Sequence, residues 1–213
     1  MKKRKKLVMG ICLLTAFVAW TFAVRFVDVQ PIGPLGSTVG FATLNRFVHN
    51  VTGVHMSLYV ITDWLGLVPI AVAVGFAALG VAQWLKRHSL KKVDFTLFVL
   101  GGFYVIVIAV FFLFEVLVIN YRPILISGIL EASYPSSTTM LVMCVMPTAI
   151  LQLKSRIRCR VLRRCVITAI TVFVAFMVLA RLISGVHWFT DIVGGILLSA
   201  GVGALYAEVS QSI

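Results

Sequence analysis

Residues 95–119 read FTLFVLGGFYVIVIAVFFLFEVLVI, and Glu115 is the only charge among them. Wound as a helix at about 1.5 Å per residue, this run outreaches a bilayer hydrocarbon core of about 30 Å. It has no polar stripe of helical period and no alternation of strand period, so no face of it is suited to water. Lipid is its solvent. Five further apolar stretches flank it, at residues 7–27, 57–84, 137–153, 163–183 and 189–208. The second is long and is expected to begin on the membrane surface, and the fourth is close to the minimum length for a span. The reading is an all-α polytopic membrane protein, a six-transmembrane-helix bundle forming one domain over residues 1–213.

Composition points the same way. Hydrophobic residues make up 61% of the chain and charged residues 12%, with a mean hydropathy of +1.05. A soluble domain holds about 45–50% apolar and about 25% charged residues. Disorder, a disulfide scaffold and a soluble α/β enzyme are excluded. The four cysteines, Cys12, Cys144, Cys159 and Cys165, have neither zinc-ligand spacing nor an oxidising location, and are read as packing or incidental residues.

The net charge of +12 points to topology rather than to nucleic acid. Lys2, Lys3, Arg4, Lys5 and Lys6 precede the first span. Lys86, Arg87, Lys91 and Lys92 follow the second, and Lys154, Arg156, Arg158, Arg160, Arg163 and Arg164 follow the fourth. In a six-span chain all three groups fall on one side, which positive-inside bias makes cytoplasmic, with both termini there. Anionic lipid headgroups are their expected partners. The first span is read as an uncleaved anchor, since its apolar run exceeds a signal-peptide core. Short loops and a compact six-span chain read as bacterial.

Only Arg25, Arg46, Arg122 and Arg181 remain among the Lys and Arg residues. With Asp28, Asp63, Glu115, Glu131, His187 and Asp191 they gather at the other, extracytoplasmic side. Arg25, Asp28 and Arg46 are read as interfacial, snorkelling to water. The rest cluster on three hydrophilic interruptions: Asn120-Tyr121-Arg122-Pro123, Tyr134-Pro135-Ser136-Ser137-Thr138-Thr139, and residues 181–191. Ionisable groups near a bilayer core are costly and mark function or pairing.

Each interruption has its own chemistry. Ser136, Ser137 and Thr138 open a helix after a proline, where free N–H groups, hydroxyls and the positive end of the dipole favour an anion. The same letters also serve ordinary capping. His187 and Asp191, four apart, are expected on one helix face, with the carboxylate orienting the imidazole. Arg122 and Arg181 add two guanidinium forks suited to phosphate oxygens. A zinc site built on His49 and His55 lacks spacing and partners, and a serine hydrolase built on Ser136 or Ser184 lacks a nucleophile elbow. The Phe-rich third span is read as lipid-facing bulk, and Gly194, Gly195, Ser199 and Gly203 as a close helix contact.

These residues resemble the type 2 phosphatidic acid phosphatase superfamily of membrane lipid phosphatases. Its signatures are Lys-x6-Arg-Pro, Pro-Ser-Gly-His and Ser-Arg-x5-His-x3-Asp at helix ends of a six-span bundle. Arg181, His187 and Asp191 match the third, with Ala180 where Ser is usual; Arg122-Pro123 closes the first and Pro135-Ser136 opens the second. The resemblance implies that His187 is the nucleophile, forming a phosphohistidine, and that Asp191 orients it. It also implies that Arg122, Arg181 and the N–H groups around Ser136 and Ser137 hold the phosphoryl oxygens of a membrane lipid phosphate. No metal and no cofactor are implied.

Two positions depart from the family. Glu115 stands where the lysine belongs, and Thr138 where the second signature has the histidine thought to protonate the leaving group. A missing general acid costs about 10²–10⁴ in rate. The cost is heavy for an alkoxide, whose conjugate acid resembles water at a pKa of about 16, and light for a phosphate, at about 6. A lipid diphosphate, such as a polyprenyl diphosphate, is therefore the expected substrate. Glu115 and Glu131 each admit two roles: a substitute acid kept protonated by apolar surroundings, or a carboxylate that pairs with Arg122 or Arg181 and weakens phosphate binding. Two other activities share the site, a retired relative that binds or moves a phospholipid, and a lipid phosphotransferase.

Overall fold

In lipid, a helix satisfies every backbone N–H and C=O within its own segment, so apolar runs of this length can only wind up. The computed structural model describes residues 3–211. Lys2 of the first basic group lies outside them, as do the side chains of Lys3 and Arg4. The described residues form α1 (Lys3–Phe26), α2 (Ala42–Thr52), α3 (Met56–Leu65), α4 (Leu67–Arg87), α5 (Phe95–Val116), α6 (Ser137–Arg156), α7 (Arg160–Ile183) and α8 (Phe189–Gln211). Six segments are long and apolar enough to cross a membrane, as the sequence predicts.

Two details differ from the sequence reading. The stretch at 57–84 is two helices, α3 and α4, meeting at Gly66, whose N–H closes on the carbonyls of Thr62 and Asp63. Pro69, in the first turn of α4, has no N–H to extend the α3 ladder. The segment between the first two spans also holds a helix of its own, α2, whose first turn is capped from afar: Asp28 Oδ2 accepts the Thr43 N–H at 2.7 Å. That bond and one from Gln30 hold the Asp28 carboxyl below its ordinary pKa. The carboxylate is thus built into the fold rather than merely interfacial.

Helices α6 and α8 sit at the centre. Half of the most apolar window of α6 and 44% of that of α8 are buried, against 11–22% in the other spans. The residues that touch lipid are therefore mostly those of α1, α3, α4, α5 and α7, and the chemistry is carried on or beside the two inner helices. The main core gathers Phe17 and Val24 of α1, Leu100, Phe103 and Val107 of α5, Met140 and Cys144 of α6, Leu198 and Tyr206 of α8, and Tyr134. Phe103 is thus a core residue, whereas Phe98 and Phe112 face outward as the sequence reading expects of the whole span.

Tyr134 anchors the segment that leads into α6. Its ring stacks on Phe17 at 6.3 Å and meets Phe114 edge-on at 5.9 Å, and its hydroxyl shares a hydrogen bond with Thr21 at 2.7 Å. Gly194 makes room for it: a Cβ there would lie 2.6 Å from the ring. Gly195 and Ser199 likewise approach α6, the latter donating to the Met140 carbonyl at 3.3 Å, but Gly203 faces open space and makes no close contact. At the opposite end a polar knot ties α5, α6 and α8: Asp94 pairs with Arg156 at 3.4 Å and Gln152 donates to the Tyr206 hydroxyl at 2.8 Å.

Candidate active site

Three chain segments converge beyond the ends of α5 and α7. Residues 117–136 fold back on themselves through paired backbone bonds, Arg122 N–H to Glu131 O at 3.0 Å and Ser133 N–H to Asn120 O at 2.9 Å. This pairing sets Asn120, Arg122 and Ser133 side by side. The turn from α7 into α8 needs Gly185, which has φ +69° and whose Cβ would fall 2.0 Å from the Gly53 carbonyl oxygen. That turn delivers His187 to the paired loop.

Asp191 opens α8 and is fully buried. As the third residue of the helix, it reaches back to accept the Trp188 N–H at 2.9 Å, the carboxylate half of a capping box. It also accepts Asn120 Nδ2 at 3.1 Å and the Ser133 hydroxyl at 2.5 Å. Four lone-pair sites on a buried carboxylate need donors, and three are supplied, two by the paired loop and one by the turn before α8.

His187 does not share a helix face with Asp191. It lies in the turn just before Phe189, and its Nδ1 is 3.9 Å from Asp191 Oδ2, beyond hydrogen-bond reach. Ser133 fills the gap, with its Oγ 3.0 Å from His187 Nδ1. At the other ring nitrogen, Arg122 Nη1 approaches Nε2 at 3.4 Å. A guanidinium can only donate, so Nε2 must present its lone pair. Burial pushes the imidazole pKa down to about 4; Arg122 and Arg181 lower it too, and Asp191 works against them. The ring is neutral at pH 7, with an unprotonated nitrogen facing the Arg122 guanidinium.

The two arginines are held differently. Arg122 Nε lies 2.9 Å from Glu131 Oε2, but its N–H is not aimed at that oxygen and makes no hydrogen bond. Of the two acids open to pairing, Glu131 takes Arg122. Arg181, 1% exposed, donates Nη1 to Thr62 at 3.1 Å and lies over the Tyr59 ring at 4.8 Å, with Asp63 3.9 Å from Nη2. Its Nε also lacks a partner, as does the Ser136 hydroxyl. These buried polar atoms thus lack a hydrogen-bond partner among the described residues.

The helix start at α6 differs from expectation in one respect. The Ser136 N–H already donates to the Asp191 carbonyl at 3.1 Å, so it is not offered to a ligand. Ser137 borders a narrow cleft beside His187; Thr138 is half-buried and does not border it. The cleft encloses about 10 Å³, the room of one water. Phe111, Phe114 and Glu115 of α5 line its other wall. Glu115 thus reaches the site, and Phe111 and Phe114 are not merely lipid-facing. A larger cavity of about 240 Å³ lies between α4 and α5, walled by apolar side chains and apart from these groups. Among the described residues, no three His, Cys, Asp or Glu side chains come close enough to hold a metal ion.

The family model of the PAP2 superfamily matches residues 70–212, more than half of the chain. The chain belongs to the PAP2 superfamily. The PAP2 match runs from α4 into α8 and includes every site residue from Glu115 to Asp191. A solved PAP2 structure superposes over 96% of both chains with a TM-score of 0.60 at 16% identity. It is that of the first transmembrane PAP2 type phosphatidylglycerolphosphate phosphatase from Bacillus subtilis. At that identity the likeness is one of fold. No curated protein matches the chain.

Two members of this PAP2 site escape the motif reading. Asn120 stands in the first interruption, yet only its contact with Asp191 gives it a role. Ser133 directly precedes the second interruption, and its polarity next to Tyr134 is the one signal the sequence carried.

Proposed function

We propose that this protein is a membrane lipid phosphatase with His187 as its nucleophile. The observation that carries the reading is the neutral imidazole of His187, with Nε2 facing Arg122 and Nδ1 linked toward Asp191. Nε2 attacks phosphorus, the P–O bond to the leaving group breaks, and water then cleaves the P–N bond to return the histidine and release phosphate. Arg122, Arg181 and the hydroxyl of Ser136 balance charge on the phosphoryl oxygens, as phosphoryl transfer chiefly requires. The solved PAP2 neighbour is itself a phosphatidylglycerolphosphate phosphatase, which supports the class of reaction.

The preferred substrate is a lipid diphosphate, a polyprenyl diphosphate being the natural example. Thr138 replaces the family's acid and stands back from the cleft, so a leaving group that departs without a proton suits the site best. The basic residues at the far end of the bundle support a cytoplasmic location for that end and an extracytoplasmic site. Matched lipid monophosphates and diphosphates, presented to purified protein in detergent, test the reading by phosphate release. Diphosphates should turn over about 10²-fold or more faster, and His187→Ala should abolish release. Equal rates on both would overturn the diphosphate preference. A His187→Ala protein as active as the native one would overturn the nucleophile.

A second reading, a relative that binds a phospholipid without turnover, is favoured by the Arg122–Glu131 contact, which sets a carboxylate against that guanidinium. It predicts lipid phosphate binding with no release.

A further inference from the structure

Within the reading of His187 as nucleophile, on which this step rests, we infer that Ser133 is a positioning residue that transmits the Asp191 carboxylate to the imidazole. The geometry leaves the hydroxyl one arrangement. Asp191 is an acceptor only, so the single Ser133 proton goes to Oδ2. The Oγ can then only accept from His187, which requires hydrogen on Nδ1. The opposite side of the ring demands the same tautomer, because Arg122 can only donate to Nε2. Two independent contacts agree on Nδ1–H.

Direct contact between His187 and Asp191 is prevented by how each is held. The carboxylate is tied to Asn120 and to the Trp188 N–H, and the imidazole is carried by the turn at Gly185. Ser133 is fixed in turn by its own N–H on the Asn120 carbonyl and by Tyr134, buried in the aromatic stack. Ser133 is 3% exposed, too enclosed for bulk water to substitute freely. As phosphorus bonds to Nε2 the ring becomes positive, and the chain from Nδ1–H through Oγ–H to the carboxylate is the route by which that charge is offset. No proton need leave the ring.

The chain has four histidines, so ¹⁵N-histidine labelling with single substitutions of the others can assign the His187 ring signals. Native protein should show His187 protonated at Nδ1 at neutral pH. Ser133→Ala should lose that tautomer or mix it with the other, and should lower kcat about 10–100-fold with KM little changed. Ser133→Thr, which keeps the hydroxyl, should restore both. A native His187 protonated at Nε2 would overturn the inference, as would a Ser133→Ala protein with native tautomer and native kcat. Failure of the phosphatase reading is seen separately, as native protein that releases no phosphate from any lipid while its tautomer is still measurable. If Ser133→Ala does not fold, the native tautomer together with Ser133→Thr decides.

Discussion

His187 ties function to pH through one sign. Its folded pKa of about 4 lies below the ordinary histidine value of about 6.5. The folded state therefore prefers the neutral ring. Stability from this group is fully present above about pH 6.5 and is lost as pH falls toward 4. Turnover should follow the same group: flat from neutral pH to about pH 5, then falling as the ring is protonated near pH 4. A pH–rate profile on a lipid diphosphate checks this, and an acid limb centred near 6.5 would show that burial does not control the ring. At the same scale, the motif reading singled out His187, Asp191, Arg122 and Arg181 because their residue types announce their chemistry. It did not find Ser133 or Asn120. A serine or asparagine in a polar loop is ordinary, and only the chain crossing from residue 120 to 133 to 191 makes these two special.

Among the elements, α8 supports the site closely where it meets the segment entering α6. Gly194 faces the ring of Tyr134, and Tyr134 adjoins Ser133. Gly194→Ala should press a methyl group into an aromatic ring with no room to move, costing about 1–3 kcal/mol of stability and displacing the serine, so that activity falls as well. Gly203→Ala, on the same helix but facing open space, should leave both unchanged. Thermal unfolding in detergent with parallel phosphate-release assays compares the two. Hydropathy made Gly194 and Gly203 look alike; the difference is what stands opposite each. The same limit explains the break at Gly66. Apolarity continues across α3 and α4, so the stretch reads as one span, and only backbone geometry at Gly66 and Pro69 divides it.

At the scale of the whole molecule, the bundle has a chemical end and a basic end. Fold class and span number were legible because lipid imposes them on composition, whereas α2 and its Asp28 cap depend on contacts too distant for any pattern. The orientation has a direct handle in Cys159, an exposed free thiol between α6 and α7. With Cys12 and Cys165 changed to serine, a membrane-impermeant maleimide should label Cys159 in inside-out vesicles and not in intact cells. Labelling of intact cells alone would reverse the assigned sides.

Asp191 belongs to two structures at once, the start of α8 and the proposed reacting centre. Losing its carboxylate would strand the Asn120 and Ser133 donors and leave the Trp188 N–H uncapped, whereas a substituted His187 gives up two contacts, to Ser133 and Arg122, and no helix cap. A lineage abandoning catalysis would therefore shed the histidine first and keep the aspartate long afterwards. In a silent descendant, an acidic residue at this position would be a relic of chemistry preserved by architecture.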